Sequence, residues 1–141
     1  MRIASALCAL AGASLLAACG SGRQEISVRT DPAGALVSLQ RMGERTISGT
    51  IAGVGGGAVD GGSFTEDWIV LGNAPVEYEF ERVDREGGGR VAGSGGEVTK
   101  RYREGMVRAE LEGYRTVERR VRFDGDPVEL VLTLQRAGAT P

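Results

Sequence analysis

The sequence predicts an all-β fold: a small β-sandwich with two long Gly-rich loop insertions. Apolar residues recur with period two in several short runs, and clusters of Gly, Pro, Asp and Asn separate those runs. Glycine contributes 23 of the 141 residues, which favours turns over long helices. Six or more short strands punctuated in this way suit a sandwich. The length fits one domain of ordinary size. With 17 Lys+Arg against 19 Asp+Glu the net charge is −2, without the basic footprint of a dedicated nucleic-acid binder. The chain has no histidine. That excludes Ser-His-Asp and Cys-His nucleophilic sites, His-ligated zinc and His general bases.

The first element is an export leader. Arg2 supplies a positive start, and residues 3–18 form an apolar and small-residue run without a charge. The run is too short and too rich in Ala, Gly and Ser for a transmembrane helix, and it suits a secretory leader. It ends in Leu16-Ala17-Ala18-Cys19-Gly20, which resembles a bacterial lipobox. The resemblance implies cleavage after residue 18, a diacylglyceryl thioether on Cys19 and acylation of the new amine, so that several acyl chains hold the domain at a membrane. Gly20 after the cysteine, where Asp would signal retention, resembles the outer-membrane pattern of bacteria with two membranes. An ordinary cleaved leader beside a chance cysteine is the plainer alternative. Cys8 follows Leu7 and too brief an apolar run, and it leaves with the leader. Residues 19–24 then read as a lipidated tether, 25–135 as the folded domain and 136–141 as a flexible tail.

Within the domain, residues 26–30 alternate apolar and polar, and Asp31-Pro32-Ala33-Gly34 is a turn cluster. Ala35, Val37 and Leu39 share the next face. From residue 49 to 62, seven of fourteen residues are glycine, and from 87 to 96 six of ten are. Both stretches lack side chains to offset the entropy of ordering and read as long mobile loops. Residues 68–71 form a short apolar piece between them. Val76, Tyr78 and Phe80 share one face, with Glu77, Glu79 and Glu81 on the other. Val107, Ala109 and Leu111 repeat the rule, Glu112-Gly113 turns the chain into residues 114–123, and Asp124-Gly125-Asp126-Pro127 turns it again. Val128, Leu130, Leu132 and Leu134 complete the core face. Arg119 breaks the pattern, because alternation from Val117 to Val121 points it inward. A bulge at Arg119-Arg120 would resolve that conflict.

Several of these pieces, in this order, resemble the PEGA domain of bacterial and archaeal envelope proteins. Ile26 to Leu39 is similar to that family's first hairpin, with Pro32-Ala33-Gly34-Ala35 where Pro-Glu-Gly-Ala is usual. Gly72-Asn73-Ala74-Pro75 is similar to the Gly-x-Thr-Pro step. Gly105 to Ala109 followed by Gly113-Tyr114 matches the closing pattern, and Asp124-Gly125 with residues 128–134 matches the last hairpin. The resemblance covers roughly half of the chain after residue 18. It implies a transthyretin-like or immunoglobulin-like sandwich and an accessory, non-catalytic module.

The candidate chemistry is sparse. Gly53 to Ala58 and Gly87 to Ala92 both satisfy G-x-G-x-x-[GA], but no helical pattern follows either to hold a pyrophosphate. Asp60, Glu66 and Asp67 lack the spacing of a Ca²⁺ loop and read as solvated charges. Asp124 and Asp126 suit a turn. No metal or cofactor is implied. The acidic stripe of Glu77, Glu79 and Glu81, with Arg108, Arg120 and Arg122 on later strands, reads as an exposed sheet face with cross-strand ion pairs, or else as a polar surface for a partner. Tyr78 and Tyr114 suit the core or a strand corner. Trp68 and Tyr102, beside the Gly-rich stretches, are the more exposed aromatics and the candidate ligand contacts. The leading expectation is a lipid-anchored envelope protein acting as a non-catalytic interaction or scaffold module. A cell-wall or surface glycan-binding module is the alternative, and a carboxylate-dependent enzyme is a third reading, with no pair of acids singled out by spacing.

Overall fold

The computed structural model describes residues 22–51, 54–87 and 96–138. Among them are nine strands and no helix: β1 (Arg23–Asp31), β2 (Leu36–Ile51), β3 (Val54–Thr65), β4 (Ile69–Asn73), β5 (Val76–Glu81), β6 (Val83–Gly87), β7 (Gly96–Glu110), β8 (Val117–Arg122) and β9 (Val128–Thr133). They form two sheets that pack as a small β-sandwich, as the alternating pattern predicts. The smaller sheet has the order β5-β1-β9, with β1 antiparallel to β5 and parallel to β9. The larger sheet is built on two long strands, β2 and β7, paired from Leu36↔Glu110 to Gly49↔Gly96. Their lower halves are flanked by β4 and β8, and their upper halves by β3 and β6.

The lower half makes the sandwich. Ile26 and Val28 on β1, Phe80 on β5 and Leu132 on β9 face Val37 and Leu39 on β2, Val107 and Ala109 on β7 and Val121 on β8, all buried. Each fully buried Val, Leu or Ile contributes about 1.5–3 kcal/mol relative to exposure, so this small set dominates the stability. At the base of the sandwich the 31–34 turn docks on the step before β5. Gly34 donates to the Ala74 carbonyl, and Ala74 donates back to that of Ala35. At the top, β5 passes through Arg82 into β6 and so changes sheets.

Four expectations change. The Gly-rich stretch 49–62 is a strand ladder over its described part, not a loop: Ile47↔Val59, Ser48↔Ala58 and Gly49↔Gly57 pair across β2 and β3. Backbone groups alone complete such a ladder, so scarcity of side chains does not prevent it. Of the second stretch, residues 88–95 lie outside the described residues, and its two ends pair as β6 and β7 at Gly87↔Glu97. The β7–β8 register runs without a shift from Glu104↔Arg122 to Ala109↔Val117, so there is no bulge at Arg119-Arg120. Arg119 sits opposite Val107 yet stays exposed, because β8 is an edge strand. Finally, β1 starts at Arg23, which takes Arg23 and Gln24 out of the predicted tether. The tail is also partly tied down, with Arg136 bridged to Tyr114 and Ala137 donating to the Gly113 carbonyl. The predicted leader, Cys19 and Gly20 lie outside the described residues.

Candidate functional site

Of the two aromatics predicted to be exposed, Tyr102 is buried. It lies where the sandwich meets the upper half of the large sheet, with 3% of its surface exposed. Its ring packs edge-on against Phe64 of β3 and Phe80 of β5, at centroid distances of 5.5 and 5.8 Å. The Arg41 guanidinium covers it at 4.3 Å. The Tyr102 hydroxyl donates to Glu66 at 2.7 Å, and the other Glu66 oxygen pairs with Arg41 at 2.7 Å. Burial, and then the hydrogen bond to Glu66, push the phenol pKa well above its ordinary value. Tyr102 is therefore neutral, held and out of reach of a ligand. Tyr102 pairs with Gly43 beside a bulge in β7, and Gly43 in turn pairs with Phe64 of β3, so the ring lies under a sheet rather than beside an open loop. A Cβ on Gly43 would lie 2.0 Å from the Arg101 carbonyl oxygen, so only glycine lets the two long strands approach there.

Trp68 is half-buried on the outer face of the large sheet. Arg108 of β7 stacks on its ring at 3.8 Å and pairs with Glu118 of β8 at 2.8 Å. A guanidinium lying on one face of an indole is a favourable cation–π contact. It also occupies a face that a sugar ring would need.

The third feature is the outer face of β5-β1-β9. Glu25, Ser27 and Arg29 of β1 line a shallow groove of about 420 Å³ with Glu77 and Glu79 of β5 and Glu129 of β9. Glu25 lies directly opposite Glu79, and Ser27 opposite Glu77. Like charges facing across strands repel. Arg23 offsets this by pairing with Glu79 at 2.7 Å and Glu81 at 2.9 Å. The groove is polar and open to water, suited to cationic or hydroxyl-rich groups.

Two acids of the predicted stripe, Glu79 and Glu81, are thus partnered by Arg23. Arg108 and Arg120 pair instead with Glu118 and Glu104 across β7 and β8. Two of the acids weighed for Ca²⁺ have separate tasks. Asp60 accepts from the Gly62 amide, and Glu66 holds Arg41 and Tyr102. Asp124 accepts from the Asp126 amide, as a turn residue does. Among the described residues, no group of three or more His, Cys, Asp or Glu is arranged to hold a metal.

Sequence reasoning missed three residues. Gln24 is fully buried: its Nε2 donates to the Asp126 carbonyl, and its Oε1 accepts from the Gly125 amide. Arg41 points to the sandwich side. Both signals were present, since Gln24 shares parity with Ile26 and Val28, and Arg41 with Val37 and Leu39. Glu66 had no such signal, because its partners come from β2 and β7. No family model, no curated protein and no solved structure matches this chain.

Proposed function

We propose that this protein is a bacterial envelope lipoprotein in which a Cys19-linked lipid holds a PEGA-like β-sandwich at the membrane as a non-catalytic interaction or scaffold module. The observation that carries this reading is the spacing of lipobox and fold. The first strand begins at Arg23, four residues after Cys19. Leader, cleavage motif and folded domain follow one another without spare chain, which is the order a lipid-anchored domain requires. The PEGA-like reading is supported by the way its motifs meet. Pro32-Ala33-Gly34-Ala35 and Gly72-Asn73-Ala74-Pro75 are far apart in sequence, yet they are joined by reciprocal backbone bonds and by Asn73 Nδ2 donating to the Gly34 carbonyl at 2.9 Å. Gly20 favours the outer membrane of a host with two membranes.

The test is Cys19→Ala, read by palmitate labelling and membrane fractionation. The wild type takes label and sediments with membranes, whereas the variant takes none and is released. A variant that stays membrane-bound, beside an unlabelled wild type, refutes the anchor. The glycan-binding reading rests on one observation, the half-buried Trp68 on the outer face of the large sheet, with Arg108 stacked on one side of its ring.

A further inference from the structure

The upper halves of β2 and β7, with β3 and β6, form a four-stranded extension beyond the sandwich. One of its faces carries an apolar row. Val59 of β3 and Val98 of β7 both lie opposite Ile47 of β2, with Ile47 42% and Val59 60% exposed. A Cβ on Gly61 would touch the side chains of both Arg45 and Ile47, which therefore share this face. Arg45 lies over the Phe64 ring, and Phe64 leads through Tyr102 to Phe80 of the smaller sheet. The apolar row thus prolongs the side of the large sheet on which β1 packs.

The anchor leaves from that same side. The Gly22 carbonyl accepts from Arg82, and the Arg82 carbonyl accepts from Tyr102, which lies opposite Gly43. Gly22 is therefore level with the base of the extension. Three residue steps connect it to Cys19, at most about 11 Å at ~3.6 Å per residue. From Gly43 to Ile51, β2 runs about 26 Å beyond that level, at ~3.3 Å per residue.

These lengths restrict the pose. Pointing the extension away from the membrane would require the tether to span the whole of β1, about 26 Å by the same rise. Standing it upright would drive its end roughly 15 Å past the anchor cysteine. That would carry Glu86 and Glu97 into hydrocarbon, which is costly. The remaining pose tilts the extension onto the face from which the tether leaves. Glu86, opposite Val98, shares this face and pairs with Lys100 at 2.6 Å, so the tilted pose keeps that pair at headgroup level, and Arg45 beside the apolar row suits a headgroup phosphate.

We infer that the face of the extension carrying Ile47, Val59 and Val98 rests on the bilayer that holds the Cys19 lipid. This rests on the lipoprotein reading above. The test places a single environment-sensitive fluorophore on an introduced thiol, Val59→Cys or Val70→Cys, in the full lipidated chain. The acylated Cys19 leaves no competing thiol, and Val70 is a matched control, 64% exposed on the opposite face of the large sheet. The vesicles are phosphatidylethanolamine and phosphatidylglycerol with a nitroxide lipid quencher, and Trp68 emission reports folding. The label at 59 should be quenched at least threefold more than the label at 70. Equal quenching on membrane-bound protein overturns the pose and leaves the anchor standing. Shielding at 59 that follows protein density rather than quencher lipid overturns it in favour of a second copy. Wild type absent from the vesicles removes the anchor, and the pose with it.

Discussion

Removing one oxygen from Tyr102 tests the junction between sandwich and extension. In the wild type the hydroxyl donates to a carboxylate at 2.7 Å in a buried site. Hydrogen bonds to charged groups contribute about 1.5–3 kcal/mol, so Tyr102→Phe is expected to lose stability in that range at neutral pH. The ring contacts with Phe64, Phe80 and Arg41 persist, which confines the change to the hydroxyl. The pH dependence follows from linkage. Burial and the Glu66 hydrogen bond raise the folded-state pKa above the unfolded value near 10, so the folded chain keeps a proton that the unfolded chain releases. The stabilisation is complete below about pH 10 and is lost as pH rises toward the folded-state pKa, at up to about 1.4 kcal/mol per pH unit for one proton. Urea unfolding followed by Trp68 fluorescence from pH 7 to 11.5 reads both effects. The variant should be less stable at pH 7 and should show a shallower alkaline decline, so that the two curves converge. Equal stability at pH 7 with parallel alkaline slopes would refute the assignment of Tyr102 as a buried hydrogen-bonded phenol.

Other substitutions probe separate features. Gly105→Ala would place a methyl 2.6 Å from the Phe123 ring and 2.8 Å from the Gln40 carbonyl oxygen, an overpacking that costs about 1–3 kcal/mol or more. A melting temperature within a degree of wild type would contradict that close approach. Gln24→Leu strands the Gly125 amide and the Asp126 carbonyl, and should cost on the order of 2–4 kcal/mol by urea unfolding. A residue in a solvated tether would change stability by less than about 0.5 kcal/mol, so the measurement separates the two positions. Trp68→Ala should leave retention on peptidoglycan unchanged if the domain is a protein-interaction module. A drop of severalfold would favour the glycan reading.

The fold class was legible because both determinants are local. Alternation in Ile26-Val28-Thr30, Val37-Leu39 and Val107-Ala109 reports which face is buried, and that is where these residues lie. The glycine-rich strands were not legible. A ladder such as Gly49↔Gly57 is held by backbone groups common to every residue, and period-two hydrophobicity leaves no mark on it. The site is hidden for a related reason. The sequence neighbours of Tyr102 suggest exposure, whereas its burial comes from Phe64, Phe80 and Arg41 on three other strands.

The sequence by itself determined the all-β class, the sandwich core and the expectation of a lipid anchor at Cys19, because periodicity, turn chemistry and a short cleavage motif are written in adjacent residues. Only the tertiary structure decided that β2 and β7 run on past the sandwich, that β5 crosses to the other sheet at Arg82 and that Gln24 belongs to the core. Strand pairing is a choice among distant partners, settled by which backbone and side-chain groups can be satisfied together. No single segment encodes that choice.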